Sequence, residues 1–148
     1  MSWTFLVVDD NEAQAARAVQ QLKALQPGAQ ILTATSGEAA LELLEERRVV
    51  PSLTFVDFAM PDMTGIEFLG QVRHRRWLER AAVAILSEPI ADREIINCYR
   101  LGACAFLTKP ARLHEIRETL RDFAQQTQQM TATFVIPATP VVPTTRVA

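Results

Sequence analysis

The sequence predicts an α/β fold in which a sheet of five parallel strands lies between two layers of helices, five helices in all. Short apolar runs alternate five times with segments whose apolar residues have helical spacing. The runs contain little polar alternation, which indicates strands covered on both faces. Strands separated by single helices pair in parallel through right-handed crossovers, and the expected strand order is 2-1-3-4-5. With 148 residues, 49% of them apolar, the chain is long enough for one such domain.

The elements are predicted in the order strand–helix, repeated five times. The third helix begins with a capping box, in which Thr64 is followed three residues later by Glu67. The fourth helix covers about 92–101 and stops at Gly102, a residue suited to a left-handed turn. The predicted strands are 5–8, 31–32, 53–56, 82–86 and 104–107. The apolar stripes of the other helices are Ala15, Val19, Leu22 and Leu25 within 12–25, then Ala40, Leu41 and Leu44 after Ser36, then Ile66, Leu69 and Val72, then Leu113, Ile116, Leu120 and Phe123 after Pro110.

The folded domain is predicted to comprise residues 1–127, followed by a segment of different composition at 128–148. That segment is rich in Thr, Pro, Val and Ala and nearly free of charge. Pro137, Pro140 and Pro143 recur every third residue, the period of a polyproline II turn. We expect a linker or disordered tail, with a docking peptide for a groove-type partner as the alternative.

Composition and charge exclude several classes of function. A formal net charge of −2 gives no general attraction to nucleic acid or to an anionic membrane, so neither is an expected partner. No apolar run approaches the roughly 18 residues of a membrane span, and the start lacks the basic region of a signal peptide. Cys98 and Cys104 are isolated thiols, typical of a reducing compartment, and His74 and His114 are not spaced with them as zinc ligands. A cytoplasmic location is therefore expected.

Reactive side chains follow four of the five predicted strands. Asp9 and Asp10 follow the first, Asp57 the third, Ser87 the fourth and Lys109 the fifth. With the strand order 2-1-3-4-5 these four strands are neighbours, and the second strand, which ends without such a residue, lies at the edge. Open parallel sheets bind ligands outside the carboxyl ends of their strands. The five side chains are therefore expected in one pocket.

The chemistry of this set points to phosphoryl transfer. Two carboxylates about 4 Å apart repel by roughly 4 kcal/mol at an effective dielectric near 20, so the cluster needs a cation. Ligands that are all oxygen favour Mg2+. Lys109 adds a fixed ammonium and Ser87 a hydroxyl donor, which suits phosphoryl transfer to an aspartate. A single Asp at a strand end is more often a helix cap or turn residue, so the prediction depends on the whole set.

These residues resemble the receiver domain of two-component response regulators over about residues 4–127. The resemblance implies a doubly wound, flavodoxin-like fold. The matching motifs are Val7-Val8-Asp9-Asp10-Asn11, Val56-Asp57 with Met60-Pro61 and Gly65, Leu86-Ser87, and Phe106-Leu107-Thr108-Lys109-Pro110.

The resemblance also implies roles for the residues of the site. Asp57 accepts a phosphoryl group from the phosphohistidine of a sensor histidine kinase or phosphotransfer protein. Asp9, Asp10 and Asp57 gather Mg2+, with Asp10 foremost as a direct ligand and the backbone carbonyl of Ala59 contributing. Lys109 contacts the phosphoryl group.

A switch is implied by two further positions. Ser87 moves toward the phosphoryl group and Phe106 turns inward with it. Together they change the surface formed by the fourth helix, the fifth strand and the fifth helix. On pattern alone Phe106 would be core packing.

Two positions depart from the family pattern. Glu88 follows Ser87 where a small residue is usual, and its carboxylate either crowds the pocket mouth and repels the phosphodonor or points to solvent. Ala59, two residues after Asp57, has no polar side chain to position a hydrolytic water. We expect an acyl phosphate that is not unusually short-lived.

The leading interpretation is a signalling switch and not an enzyme, apart from phosphotransfer and dephosphorylation on itself. One alternative is a small Mg2+-dependent phosphatase with an aspartyl nucleophile, although no insertion is available to form a cap. Another is a constitutive interaction domain, although the acceptor and the lysine are both present. Nucleotide binding is not expected, because no glycine-rich loop follows the first strand.

The expected downstream partner is a protein target or an output domain missing from this chain, because no output domain is predicted after residue 127. A homodimer through the fourth helix and fifth strand is the further possibility. Arg93, Arg100, Glu115 and Asp122 are available for cross-pairs, with ordinary solvated charges as the alternative.

Overall fold

The computed structural model describes the backbone of residues 2–132 and the side chains of residues 2–127. The predicted tail at 128–148, with its three regularly spaced prolines, therefore lies almost wholly outside the described residues. The strands are β1 Thr4–Val8, β2 Gln30–Ala34, β3 Leu53–Asp57, β4 Val83–Ser87 and β5 Ala105–Thr108. The helices are α1 Glu12–Leu25, α2 Gly37–Arg47, α3 Gly65–His74, α4 Asp92–Arg100 and α5 Leu113–Ala132.

The sheet has the order β2-β1-β3-β4-β5, and every strand pair is parallel, as predicted. Its register aligns the carboxyl ends of the central strands. Asp57 at the end of β3 lies opposite Leu86 of β4, and Ser87 lies opposite Thr108 of β5. Side chains that follow these strands are therefore brought to one edge of the sheet.

Two apolar cores lie on the two faces of the sheet. Successive strand residues point to opposite faces, so Phe5 packs with α1 and α5, whereas Leu6 packs with α2, α3 and α4. Phe55 and Val56 of β3 divide in the same way. The absence of polar alternation in the strands is thus explained by helices on both sides.

Two helix starts and one helix end follow the predicted signals. The Ser36 side chain accepts the backbone N–H of Ala39 and caps α2. Thr64 and Glu67 form the complete capping box of α3. Gly102 has a φ of 105°, the left-handed turn expected after α4.

Several local features differ from the predictions. A short 3-10 helix, Arg76–Leu78, follows α3 and was not predicted. Leu113 was placed on the buried stripe of α5, but it is 37% exposed because it occupies the first residue of that helix. Helix α5 runs to Ala132, beyond the predicted end of the folded part near residue 127. Among the described residues, no helix has both the length and the apolar character needed to cross a bilayer.

Candidate functional site

Three carboxylates meet at the carboxyl ends of β1 and β3. Asp9 directly follows β1 and is 3% exposed, and Asp57 is the last residue of β3 and is 7% exposed. Asp10 lies next to Asp9 and is exposed. One oxygen from each of the three residues lies within 4.8 Å of the others. The sequence therefore predicted correctly which acidic residues come together.

Lys109 supplies the positive charge at the centre of the cluster. Its backbone N–H donates to the carbonyl oxygen of Ser87 at 2.8 Å, which carries the β5 pairing one residue past the strand. Its Nζ donates to Asp57 Oδ1 at 2.7 Å and to Asp9 Oδ2 at 3.1 Å. A third donated bond goes to the side-chain oxygen of Gln14 on α1. An ammonium has three N–H donors, so these contacts use all of them.

Burial and neighbouring charges perturb both members of the central ion pair. Burial raises the pKa of the Asp57 carboxyl; Lys109 opposes this shift, while the charges of Asp9 and Asp10 add to it. For Lys109, burial alone would lower the pKa, but the bonds to Asp57 and Asp9 raise it above its usual value. The two shifts differ in origin: burial is the main cause of the raised pKa of Asp57, whereas the neighbouring carboxylates overcome the effect of burial on the pKa of Lys109.

The donor set fits a hard divalent cation. Carboxylate oxygens are the only side-chain ligands in the cluster, and a single ammonium leaves the three acidic groups with excess negative charge. One of the three, Asp10, is exposed and open to water, as a partly hydrated Mg2+ requires. Ala59, whose carbonyl was predicted as a further ligand, lies two residues after Asp57 and forms an isolated antiparallel bridge with Thr64.

The loop between β3 and α3 is held on two sides. Gly65 lies so close to the strand end that a Cβ there would approach the Asp57 carbonyl oxygen to 3.1 Å. The Asp62 carboxylate accepts the backbone N–H groups of Gly37 at 3.3 Å and Glu38 at 2.8 Å, at the start of α2. Burial alone would raise the pKa of Asp62, but these N–H groups hold it below its usual value. Sequence reasoning missed Asp62, because its two partners are 25 and 24 residues away.

The two proposed switch residues lie on the neighbouring strands β4 and β5. Ser87 is 2% exposed, and its Oγ donates to the carbonyl oxygen of the next residue, Glu88. Phe106 is half-buried and packs against the core under α2, α3 and α4. Its backbone N–H donates to the Tyr99 hydroxyl at 3.1 Å, which ties β5 to α4. No pattern in the sequence predicts this bond.

The side chain of Glu88 is exposed, which fits the solvent-facing alternative for this departure from the family pattern. It nevertheless contributes to the rim of a groove beside the cluster, together with Gln14, Arg17 and Lys109. Across this groove, the carbonyl oxygen of Ala111 accepts bonds from two side chains of α1, Gln21 at 2.8 Å and Arg17 at 3.4 Å.

Fold and site together define a class of protein: a doubly wound α/β domain with an acidic cluster and a lysine at the carboxyl edge of its sheet. The model of the response regulator receiver domain family matches residues 5–121, and the chain belongs to that family. It is therefore a receiver domain of two-component signalling. Receiver domains act mainly as signalling switches and in general bind Mg2+ at their acidic pocket.

Curated relatives and solved structures agree with this assignment. The sensory/regulatory protein RpfC of Xanthomonas campestris is 32% identical over 131 residues, 87% of this chain. The transcriptional regulatory protein KdpE of Mycobacterium tuberculosis is 33% identical over 118 residues, 80% of this chain. The chain spans only 18% of RpfC and 50% of KdpE. The chemotaxis protein CheY4 of Vibrio cholerae shares the fold, with a TM-score of 0.74 at 24% identity over 83% of this chain and 99% of that one.

Proposed function

We propose that Asp57 accepts a phosphoryl group from the phosphohistidine of a sensor histidine kinase or phosphotransfer protein, and that the chain then changes its protein contacts. The observation that carries this proposal is the direct contact of Lys109 with two buried carboxylates, Asp9 and Asp57, at the edge of the sheet. Burying these charged groups costs free energy because they lose hydration. Binding of a charged ligand, such as Mg2+ with a phosphoryl group, would offset that cost.

The transfer itself needs little beyond positioning and neutralisation of charge. An ionised oxygen of Asp57 attacks phosphorus, the P–N bond to the donor imidazole breaks, and its electron pair stays on the imidazole nitrogen, which takes up a proton. Lys109 holds an ammonium 2.7 Å from Asp57 Oδ1, where it stabilises charge on the incoming phosphoryl oxygens. The hydroxyl of Ser87 lies at the adjacent strand end and is the further donor.

Asp9, Asp10 and Asp57, with the carbonyl of Ala59, are the proposed ligands of Mg2+. Bound there, the ion would supply positive charge to the phosphoryl oxygens and offset the repulsion among the carboxylates. Asp10 is the ligand most open to water, which suits an ion that keeps part of its hydration shell.

The surface of α4, β5 and α5 is the proposed output of the switch. Among the described residues, the exposed large hydrophobic side chains are Val50, Ile96, Leu101 and Leu113. Three of these four lie on α4, at its end, or at the start of α5. Phe106 of β5 lies between those helices in sequence, and its backbone N–H is tied to α4. A rotation of the Phe106 side chain would therefore change the conformation of this apolar surface.

The partner of this surface is proposed to be a downstream protein or an output domain, with a homodimer as a further possibility. Of the charges considered for cross-pairs, Arg93 and Arg100 are exposed. Glu115 already accepts the backbone N–H of Arg112 at 2.9 Å, and Asp122 has a partner within the chain. The apolar residues therefore support a contact at this face better than the acidic ones do.

The lifetime of the acyl phosphate is proposed to be longer than seconds. Ala59 offers no polar side chain to orient a water on the phosphoryl group, and Glu88 at the rim adds negative charge that disfavours an approaching hydroxide.

Intact mass after incubation with acetyl phosphate and Mg2+ tests the proposal. We expect one phosphate adduct in the wild type and none in Asp57→Asn. Asp62→Asn is the matched control, because its carboxylate lies in the same loop but faces α2, and it should be phosphorylated like the wild type. Absence of the adduct in the wild type with every donor tried, or its persistence in Asp57→Asn, would contradict the proposal. Size exclusion of the same samples tests the homodimer.

A further inference from the structure

We propose that Gln14 is a positioning residue for Lys109, whose amide oxygen fixes the third N–H of the ammonium so that the other two face the acceptor and the acidic cluster. This inference rests on the proposed function of Asp57. Gln14 was not among the residues that the sequence pattern or the resemblance pointed to, because nothing in its spacing distinguishes it from other polar residues of α1.

The contact belongs to a closed ring of hydrogen bonds. Asp9 Oδ1 accepts the backbone N–H of Asn11 at 2.9 Å, and Asn11 Oδ1 accepts the backbone N–H of Gln14 at 3.0 Å. The Gln14 side chain then accepts from Lys109 Nζ, and Lys109 Nζ donates back to Asp9 Oδ2 at 3.1 Å. The turn that caps α1 therefore also places the glutamine amide against the ammonium.

The ring restrains a side chain that is otherwise flexible. Lysine reaches the site through four rotatable methylene groups, and an ammonium restrained by one or two acceptors can still rotate or withdraw. When a phosphoryl group joins Asp57, one N–H of Lys109 has to leave the carboxylate oxygen for a phosphoryl oxygen. Asp9 and Gln14 keep the other two N–H groups in place during that exchange, so the ammonium does not have to be re-ordered in the transition state.

The chemistry of the amide matters as well as its position. A neutral acceptor holds Lys109 without neutralising its charge, so the full positive charge is available to the phosphoryl group. A carboxylate at position 14 would hold the ammonium equally well but would compete for its charge and repel an anionic phosphodonor. Gln14 is thus expected to affect the rate of phosphorylation through two separable properties.

Three variants separate these properties. Gln14→Leu keeps a side chain of similar size but removes the acceptor, and Gln14→Glu keeps an acceptor but adds charge. Gln20→Leu is the matched control, since Gln20 is an exposed glutamine on the same helix. Because the chain has only two lysines, Lys23 and Lys109, lysine labelled with 15N reports on the ammonium of Lys109 with little overlap.

The experiment combines phosphorylation kinetics with NMR of the labelled lysines. We expect Gln14→Leu to lower the second-order rate constant with acetyl phosphate about 10-fold, from the loss of one hydrogen bond to a charged group. The exchange of Lys109 Nζ protons with water should accelerate in the same variant. Gln14→Glu should keep slow exchange but lose rate, and Gln20→Leu should match the wild type in both measurements.

Two results would overturn the inference while leaving the proposed function intact: a Gln14→Leu rate within about twofold of the wild type, or unchanged Lys109 proton exchange in that variant. Should Gln14→Leu fail to fold, Gln14→Glu decides, because unchanged kinetics there would also contradict the role of the neutral amide. A wild-type protein that forms no adduct would overturn both proposals.

Discussion

The two halves of the site are held in different ways. Asp9, Asp57 and Lys109 are joined by side-chain ion pairs between elements 52 and 100 residues apart in sequence. In contrast, the Ser87 hydroxyl donates to the carbonyl oxygen of the adjacent residue, and Phe106 packs against the apolar core. Neither side chain forms an ion pair between elements within the part of the chain that the structure describes. We call Asp9, Asp57 and Lys109 the charged half of the site, and Ser87 and Phe106 the switch half.

In the proposed function, the charged half carries out the transfer, and the switch half, whose Ser87 also donates to the phosphoryl group, responds to it. The charged half is already assembled before any phosphoryl group arrives, so little reorganisation is needed for the transfer. We propose that the switch half is able to change, because the Ser87 hydroxyl bonds the carbonyl oxygen of the next residue and the Phe106 ring is half-buried. We therefore expect substitutions in the charged half to change the phosphorylation rate most, and substitutions in the switch half or in the helix starts to have smaller effects.

Lys109→Met should have the largest effect. The substitution keeps a long unbranched side chain but removes the donors to Asp9 and Asp57. We expect the phosphorylation rate with acetyl phosphate to fall by about 10²- to 10³-fold, the usual effect of removing one preorganised donor. Lys23→Met, an exposed lysine on α1, is the control and should leave the rate unchanged. A Lys109→Met rate near the wild-type value would show that the charged half is not needed for the transfer.

Ser87→Ala should slow phosphorylation by about tenfold, the effect of one hydrogen bond to the phosphoryl group. Its stability should stay within about 1 kcal/mol of the wild type, because the hydroxyl bonds only the adjacent carbonyl. Ser36→Ala provides the reverse case. It removes the cap of α2 and should cost about 1 kcal/mol in urea denaturation while the rate is unchanged. Equal rates in the two variants would contradict this assignment.

Tyr99→Phe should loosen the switch half without touching the charged half. Loss of the hydroxyl leaves the Phe106 N–H without this acceptor, at a cost of about 1 kcal/mol. Amide hydrogen exchange of Phe106 should accelerate. The amide of Cys104, which donates to Val83 in the same sheet, should be unchanged. Unaltered exchange at Phe106 would mean that the bond to Tyr99 does not hold β5 in solution.

The smallest effect is expected for the change in the free energy of unfolding that Asp57→Asn causes in the metal-free protein. The sign of that change is the informative result. Burial, the main cause, raises the pKa of Asp57, so the ionised side chain costs stability above that pKa. The cost disappears as pH falls through the raised pKa toward the ordinary value, 3.8. Asp57→Asn should therefore be more stable than the wild type at neutral pH in EDTA, and the gain should vanish in acid.

Asp62→Asn should show the opposite sign. Although burial alone would raise the pKa of Asp62, the N–H groups at the start of α2 lower it, so its stabilisation is present at neutral pH and is lost as pH falls through that lowered pKa. We expect a loss of about 0.5 kcal/mol at neutral pH, the usual size for an exposed carboxylate at a helix start. Urea denaturation at several pH values checks both variants. Stability changes of the same sign in Asp57→Asn and Asp62→Asn at neutral pH would contradict this prediction.

The sequence predicted the fold and the charged half because both depend on strong, local signals. Apolar runs and helical spacing predict parallel strands joined by right-handed crossovers, and the order 2-1-3-4-5 is the one that makes the four strands followed by reactive side chains neighbours. Asp9, Asp57 and Lys109 each directly follow or end a strand, so the sheet alone brings them together. The start of α3 was equally local, since Thr64 and Glu67 are three residues apart.

The features that sequence reasoning missed depend on side-chain reach. Gln14, Asp62 and Tyr99 each bond a group whose approach is set by how helices pack on the sheet. The spacing of apolar residues predicts which face of a helix is buried. It does not predict which hydrogen-bond partner is reached by a polar side chain at the border of that face. The predicted burial of Leu113 was wrong for a related reason. The first residue of a helix can lie on the apolar stripe and still project beyond the core.

The most direct test of the account is a 1H–15N NMR spectrum of the protein before and after addition of beryllofluoride and Mg2+. We expect shifts of the Ser87 and Phe106 amides and of residues around Ile96 on α4, all absent in Asp57→Asn. Val50, exposed before the amino end of β3, should not shift. Shifts confined to the loop after Asp57, or the same shifts in Asp57→Asn, would contradict the division into a charged half that reacts and a switch half that responds.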